Sequence, residues 1–285
     1  MELLPEDCMR HIFSFASPLE ACRMCGVSSA VQSTVDSDAV WEKFLPPDYT
    51  EIVSRLVWPV EFSSKKELFF KLSSPLLIDH GMKMFWLDKK SGKKCYMLGA
   101  RALSIAWADS PLYWSWKPLL GSRFPEVAEL RTIWWLEIQG CLESSALSPD
   151  TTYRVYLIVQ FANRTYGLDK LPSEMIIEAG KHKLETTIYL RSHNIERSKE
   201  PDAEHVRNSN NATKVLRRRN HEEQKPNPCA REDGWMEIEL GEFYNNGDDI
   251  QQVKMSLREV KGVHLKGGLI VEGMEIRAQE SKYEK

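Results

Sequence analysis

Two hydrophobic periods divide the chain. Over residues 1–46 the apolar positions recur at helical spacing, with Cys8, Met9, Ile12, Phe13 and Phe15 following a Leu4-Pro5 opening. The proline is pre-set for a first helical turn, and Glu6 and Asp7 complement its dipole. Ser17-Pro18 ends that helix and starts another through Leu19, Ala21, Cys22 and Cys25, and Asp36-Ser37-Asp38 caps a last one before Pro46-Pro47. A connector over 47–80 carries two more helical stretches, around Tyr49–Leu56 and Lys65–Leu72. From about residue 81 the period becomes two. Met84–Leu87 and Lys94–Leu98 predict a hairpin across Asp88–Lys93, and further strands are predicted at Ile133–Cys141, Tyr153–Phe161, Glu185–Leu190, Gly234–Gly241, Val253–Val260 and Gly268–Ile276. Residues 192–233 hold no aromatic side chain and predict a long mobile polar loop, and 279–285 a charged tail. The fold class expected is α+β and multidomain: a small helical unit at 1–46, the connector, and an antiparallel β-sandwich over 81–278.

Composition narrows the function. The 285 residues carry 38 Lys and Arg against 41 Asp and Glu, a net charge of −3, which argues against a protein built to hold nucleic-acid backbones. No window reaches the roughly 20 apolar residues of a membrane helix. Acids stand near the N-terminus where a signal peptide carries positive charge, so a soluble intracellular chain, in cytoplasm or nucleus, is expected. Six cysteines are too few for a disulfide framework. Cys22-x-x-Cys25 lacks a second ligand pair, so both read as small core residues, and no metal and no cofactor are expected. Lys89, Lys90, Lys93 and Lys94 read as the solvated face of the hairpin, and Arg217-Arg218-Arg219 as part of a solvated loop. Glu237 and Glu239 alternate as the outer face of a strand rather than as a catalytic carboxylate pair, so no enzyme is expected.

Order and spacing in the first region are specific. Leu4-Pro5-Glu6-Asp7, Ile12-Phe13-Ser14-Phe15, Ser17-Pro18-Leu19-Glu20-Ala21-Cys22, Val27-Ser28 and Asp38-x-x-Val40-Trp41 resemble an F-box, with Val31 where an aromatic is often found. The resemblance implies docking on a Skp-type adaptor and through it a cullin–RING ubiquitin ligase. The implied adaptor-binding residues are Leu4, Pro5, Ile12, Phe13, Leu19, Val27 and Trp41, otherwise excess apolar surface on a tiny unit.

A second resemblance covers roughly 81–278. Tyr96-Met97-Leu98-x-Ala100-Arg101-x-Leu103-Ser104-Ile105-x-Trp107, Pro111-x-Tyr113-Trp114-x-Trp116, Trp135-Leu136-Glu137-Ile138-x-Gly140, Asp233-Gly234-Trp235-Met236-Glu237-Ile238 and Lys266-Gly267-Gly268-Leu269-Ile270-Val271-Glu272-Gly273 are similar to the phloem protein 2 domain. With the F-box, this is the pattern of plant F-box proteins of the phloem protein 2-B class. The lectin relative, the tobacco agglutinin Nictaba, implies a jelly-roll-like sandwich binding N-acetylglucosamine oligomers or N-glycans. Carried over residue by residue, its site matches Trp107, Trp114, Glu242 and Asp249, the last a methylene shorter than the agglutinin's glutamate. Trp107 at a strand end and Trp114 after a Pro111 turn are expected on loops at one sandwich end, where indole faces stack on sugar rings and carboxylates accept their hydroxyls. Trp116, Trp134, Trp135 and Trp235 read as packing residues. The function expected is a ligase substrate receptor for glycoproteins. The alternatives are a sandwich that binds protein targets through a degenerate sugar site, or a stress or defence lectin outside any ligase.

Overall fold

The computed structural model describes residues 6–13, 15–180, 182–191, 228–247 and 252–279. Short helices come first: α1 (Glu6–Phe13), α2 (Pro18–Met24), α3 (Ser29–Val35) and α4 (Asp38–Phe44). Their limits follow from local chemistry. Ser17 accepts from the backbone of Glu20 while the Glu20 carboxylate takes the Ser17 N–H, a capping box with Pro18 in the first turn. Ser28 caps α3 in the same way, through the backbone N–H of Val31. That helix was not legible in Ser-Ala-Val-Gln-Ser-Thr-Val, which carries no apolar stripe. The connector supplies α5 (Tyr49–Ser54) and α6 (Lys65–Leu72), close to the predicted ranges. No helix among the described residues is long and apolar enough to cross a membrane.

The strands build two antiparallel sheets. The larger orders β1 (Leu76–Ile78), β2 (Lys83–Leu87), β3 (Lys94–Gly99), β14 (Gly267–Ala278), β8 (Thr151–Tyr166), β12 (Met236–Asn245) and β11 (Cys229–Ala230), with β6 (Val127–Leu130) also paired to β14 and β5 (Trp114–Lys117) paired to β6. The smaller orders β10 (His182–Ile188), β9 (Ser173–Ala179), β13 (Gln252–Glu259), β7 (Leu136–Glu143) and β4 (Ser104–Ile105). The α+β architecture is the one expected. Sequence reading missed β1, β4, β5, β6, β9 and β11, which are short or lack clean alternation. β11 also shortens the predicted 192–233 loop: Cys229 and Ala230 pair with Glu237 and Met236, while 192–227 lie outside the described residues, as do 280–285 of the tail.

Alternation along β8 sends Tyr153, Val155, Leu157 and Val159 into the space between the sheets and Tyr156 and Ile158 to the outer face. The inner residues join one contiguous cluster that runs from Phe13 of α1 to Ile276 of β14, so the helices and the sandwich share a core. The outer residues form a second cluster with Met97, Phe124 and Trp235, and the Trp235 indole donates to the Gly121 carbonyl. Beside it, Arg231 reaches Glu275 at 3.1 Å and Glu237 at 3.2 Å, and Arg277 reaches both at 2.6 Å. Glu237 is therefore half-buried in an ion network rather than a simple solvent-facing residue.

Two other readings are corrected. Lys94 is buried, with its ammonium 3.1 Å from Asp48 and its carbonyl accepting from the Tyr153 hydroxyl, so it ties the connector to the sheet. Cys22 is exposed on α2 rather than in the core.

Where the connector enters the sheet, Asp79, His80 and Gly81 all have positive φ, a conformation disfavoured for the first two. Arg55 holds this turn, its Nε and Nη2 each 2.9 Å from an Asp79 oxygen. Lys83 stands 3.1 Å from the same carboxylate. The Arg55 hydrogen bonds hold the Asp79 carboxyl down at about 2 from its ordinary 3.8. A depressed carboxyl stabilises above its unfolded value and loses that contribution as pH falls through the folded one. Asp79→Asn should cost about 1–3 kcal/mol at pH 7. In thermal unfolding, the gap between variant and wild type should close as pH falls from about 4 towards about 2.

Candidate functional site

On the helical unit, burial sorts the apolar residues into two groups. Phe13 is buried, and so is Trp41, whose ring packs 5.4 Å from Phe44, 5.2 Å from Phe69 and 5.3 Å from Phe70. Both therefore belong to the core, and their assignment as adaptor-contacting residues is corrected: Trp41 joins α4 to α6. Ile12 (51% exposed), Phe15 and Val27 face outward, and Leu19 is half-buried. Phe15 was passed over as a site residue, although it lies within the quoted motif. Leu4 and Pro5 lie outside the described residues.

The sandwich concentrates exposed aromatics at one end. After β4, the Ala106 N–H donates to the Glu137 carbonyl, and Trp107 takes a φ of +57°, strained for an indole-bearing residue. That backbone throws the Trp107 ring outward, 44% exposed. Trp114 supplies the opposite case. It opens β5 opposite Leu130, is 1% exposed, and donates its indole N–H to the Ala106 carbonyl at 3.0 Å. Trp116 does the same to Ala108 at 3.0 Å, with the Arg101 guanidinium 3.7 Å from its ring centroid. Trp114 is thus no stacking face. Strand pairing with β6 overrides the loop reading, and the buried indole fixes the carbonyl next to Trp107.

Trp134 joins Trp107 instead. Their ring centroids are 5.8 Å apart, Tyr113 lies 5.6 Å from Trp107 on another side, and Trp135 stands edge-on to Trp134 at 6.0 Å. Trp134 is 45% exposed, contrary to its reading as a packing residue. One signal was present: two consecutive tryptophans entering a strand point to opposite faces, so one of them must leave the core.

The Trp134 backbone is held from below by Lys266. That side chain is 1% exposed, donates to the Trp134 carbonyl at 2.6 Å, and sits 2.5 Å from the buried Glu259 carboxylate. Burial pulls the ammonium down to about 8, and Glu259 is the opposite charge that offsets the cost.

The acidic candidates are elsewhere. Glu242 pairs with Arg154 across β12 and β8, exposed on the outer face of the larger sheet, with its carboxylate 3.5 Å from the Arg154 guanidinium. Trp114 is level with Gln160–Phe161 of β8 through β6 and β14. Glu242 therefore lies roughly 20 Å from that level along the strand direction. Asn245, which ends β12, donates to the carbonyls of Ser144 and Ser148, on the side of the sandwich where Lys94 meets Asp48. Asp249 lies outside the described residues. The structure therefore gathers Trp107, Tyr113 and Trp134 and does not bring Glu242 to them.

Comparison with known proteins agrees with both resemblances. The F-box domain family matches residues 1–43 and the phloem protein 2 family residues 93–278. The chain is similar to three proteins of Arabidopsis thaliana. The F-box protein PP2-B15 is 44% identical over 98% of this chain and 98% of its own length. The F-box protein PP2-B10 is 41% identical over 96% and 92%. The F-box protein VBF is 39% identical over 97% and 99%.

Removing the charge beneath Trp134 should be costly. Lys266→Met leaves Glu259 buried without its counter-charge and is expected to lower stability by about 3–5 kcal/mol in denaturant unfolding. Adding Glu259→Gln to that variant should recover part of the loss.

Proposed function

The chain belongs to the F-box proteins that carry a phloem protein 2 domain, and we propose that it is the substrate receptor of a cullin–RING ubiquitin ligase of the Skp-adaptor type that recognises glycoproteins. The observation that carries the ligase half is the sorting of apolar residues on the helices. Phe13 and Trp41 are consumed by the core, while Ile12, Phe15 and Val27 remain exposed on a unit this small. Large apolar side chains left in water on a small helical surface mark an interaction site. A Skp-type adaptor is the partner that F-box membership points to.

The sugar half rests on the Trp107–Tyr113–Trp134 cluster. Flat C–H faces of N-acetylglucosamine units stack on indoles, and two half-exposed indoles on a fixed backbone offer a preformed floor. Such contacts are weak singly, so several sugar units must share the binding. The receptor does no chemistry of its own. It raises the effective concentration of substrate lysines near the charged conjugating enzyme, in cytoplasm or nucleus.

One observation favours a second reading. Trp114 is buried and Glu242 is remote from Trp107, so two of the sugar-contacting residues expected from the lectin relative are not available at this end. A sandwich that has lost sugar binding would present the same aromatic cluster to a protein target.

Two experiments separate these readings. Ile12→Asp combined with Val27→Asp should abolish co-purification with the adaptor while leaving the thermal midpoint within a few degrees of wild type; undiminished co-purification would sink the ligase reading. On a glycan array, the intact chain should bind N-acetylglucosamine oligomers, and Trp107→Ala with Trp134→Ala should weaken that binding about tenfold or more. No glycan binding by folded wild type would favour the protein-target reading.

A further inference from the structure

An open groove of about 730 Å³ lies on the larger sheet, where β6, β8 and β14 splay apart. Its shape follows from the strand register. The pairing of β14 with β8 slips between Gly267 and Leu269, and Gly268 sits at φ +84°, where a Cβ would come 2.5 Å from the Arg164 carbonyl. Only glycine allows that approach. The Thr165 hydroxyl closes the bulge by donating to the Ala162 carbonyl at 2.6 Å. The end of β8 is thereby turned so that Arg164 and Tyr166 line one side of the groove and Arg131 another, and the Tyr166 hydroxyl donates to the Arg131 carbonyl at 3.0 Å.

The charge balance of this groove is uneven. Its one carboxylate among the described residues, Glu129, is engaged by the Lys117 ammonium at 2.7 Å. Arg131 and Arg164 are exposed, and among the described residues neither guanidinium has an ion pair or a side-chain hydrogen bond. Most other arginines of the sandwich are committed: Arg101, Arg123, Arg154, Arg231, Arg258 and Arg277 all face carboxylates. Two uncommitted guanidiniums lining one groove with an exposed tyrosine match a planar or tetrahedral oxyanion carried on a ring that can stack. The groove opens beside the aromatic end, since Trp134 follows Arg131 by three residues on one segment.

We infer that the Arg131–Arg164 groove binds an acidic sugar unit, bearing a carboxylate or a sulfate ester, next to the unit stacked on Trp107 and Trp134. This rests on the glycan reading of the sandwich and narrows its substrate to saccharides that carry negative charge. Sugar is favoured over a phosphorylated peptide because the groove adjoins the aromatic cluster, the Arg131 N–H donating to the Tyr113 carbonyl at 2.8 Å.

The test is titration calorimetry on the intact chain at low ionic strength with three probes: a tetra-galacturonide, a sulfated tetrasaccharide and neutral chitotetraose. At least one acidic probe should bind, more weakly with added salt, and Arg131→Gln with Arg164→Gln should weaken it about tenfold or more. Chitotetraose binding should change less than about twofold. Both positions are exposed, so unchanged circular dichroism and thermal midpoint are expected for the variant. The acid probe that responds identifies the oxyanion. Equal binding of acidic probes to variant and wild type, or binding of chitotetraose alone, would overturn the inference while leaving the glycan reading standing. Binding of none of the three would remove both. Capture of a phosphopeptide that depends on the two arginines, without any acidic sugar bound, would overturn the sugar assignment.

Discussion

The burial of Trp41 is the constraint on which the arrangement of the whole chain depends. Four short helices cannot close a core by themselves. Trp41 resolves this by leaving the helical unit on one side and meeting Phe69 and Phe70 of the connector, with Lys66 lying 5.6 Å from its ring centroid. Lys94 makes the next join, binding Asp48 at the start of the connector while Tyr153 of the long central strand holds the lysine carbonyl. These contacts place the helices on one end of the sandwich, away from the Trp107–Trp134 end.

At the Trp107–Trp134 end the same economy recurs in polar form. Trp114 and Trp116 use their indole N–H groups to fix two carbonyls of the segment that carries Trp107, and Lys266 fixes the carbonyl of Trp134. Apart from Lys266, the residues that present a surface and those that hold it in place are of the same type, and burial separates them. A tryptophan substitution in this region is therefore informative only when read with its exposure: loss at Trp107 removes a face, whereas loss at Trp114 loosens the backbone that aims one.

The helical boundaries were legible because caps are local: Ser17-Pro18-Leu19-Glu20 states its own capping box. Long alternating strands were legible for the same reason, since period two is written into Tyr153–Phe161. What failed depended on partners distant in sequence. Lys94 looks like a solvent residue until Asp48 is placed beside it. Trp114 looks like a loop residue until β6 is paired with it. Trp107 and Glu242 were joined by likeness to a lectin, but their separation is fixed by the register of β12 on β8, which no motif spacing records.

The opposition of the two ends gives the molecule a direction. Its central strands, β8 and β14, antiparallel to each other, span between the aromatic and the helical poles and are paired along most of their length. Such a body acts as a strut. A rotation imposed at the helices is delivered at the tryptophans as a lateral sweep, scaled by the span between them. Whatever the tryptophans hold would keep a fixed bearing relative to the helices, set by where the strut aims it.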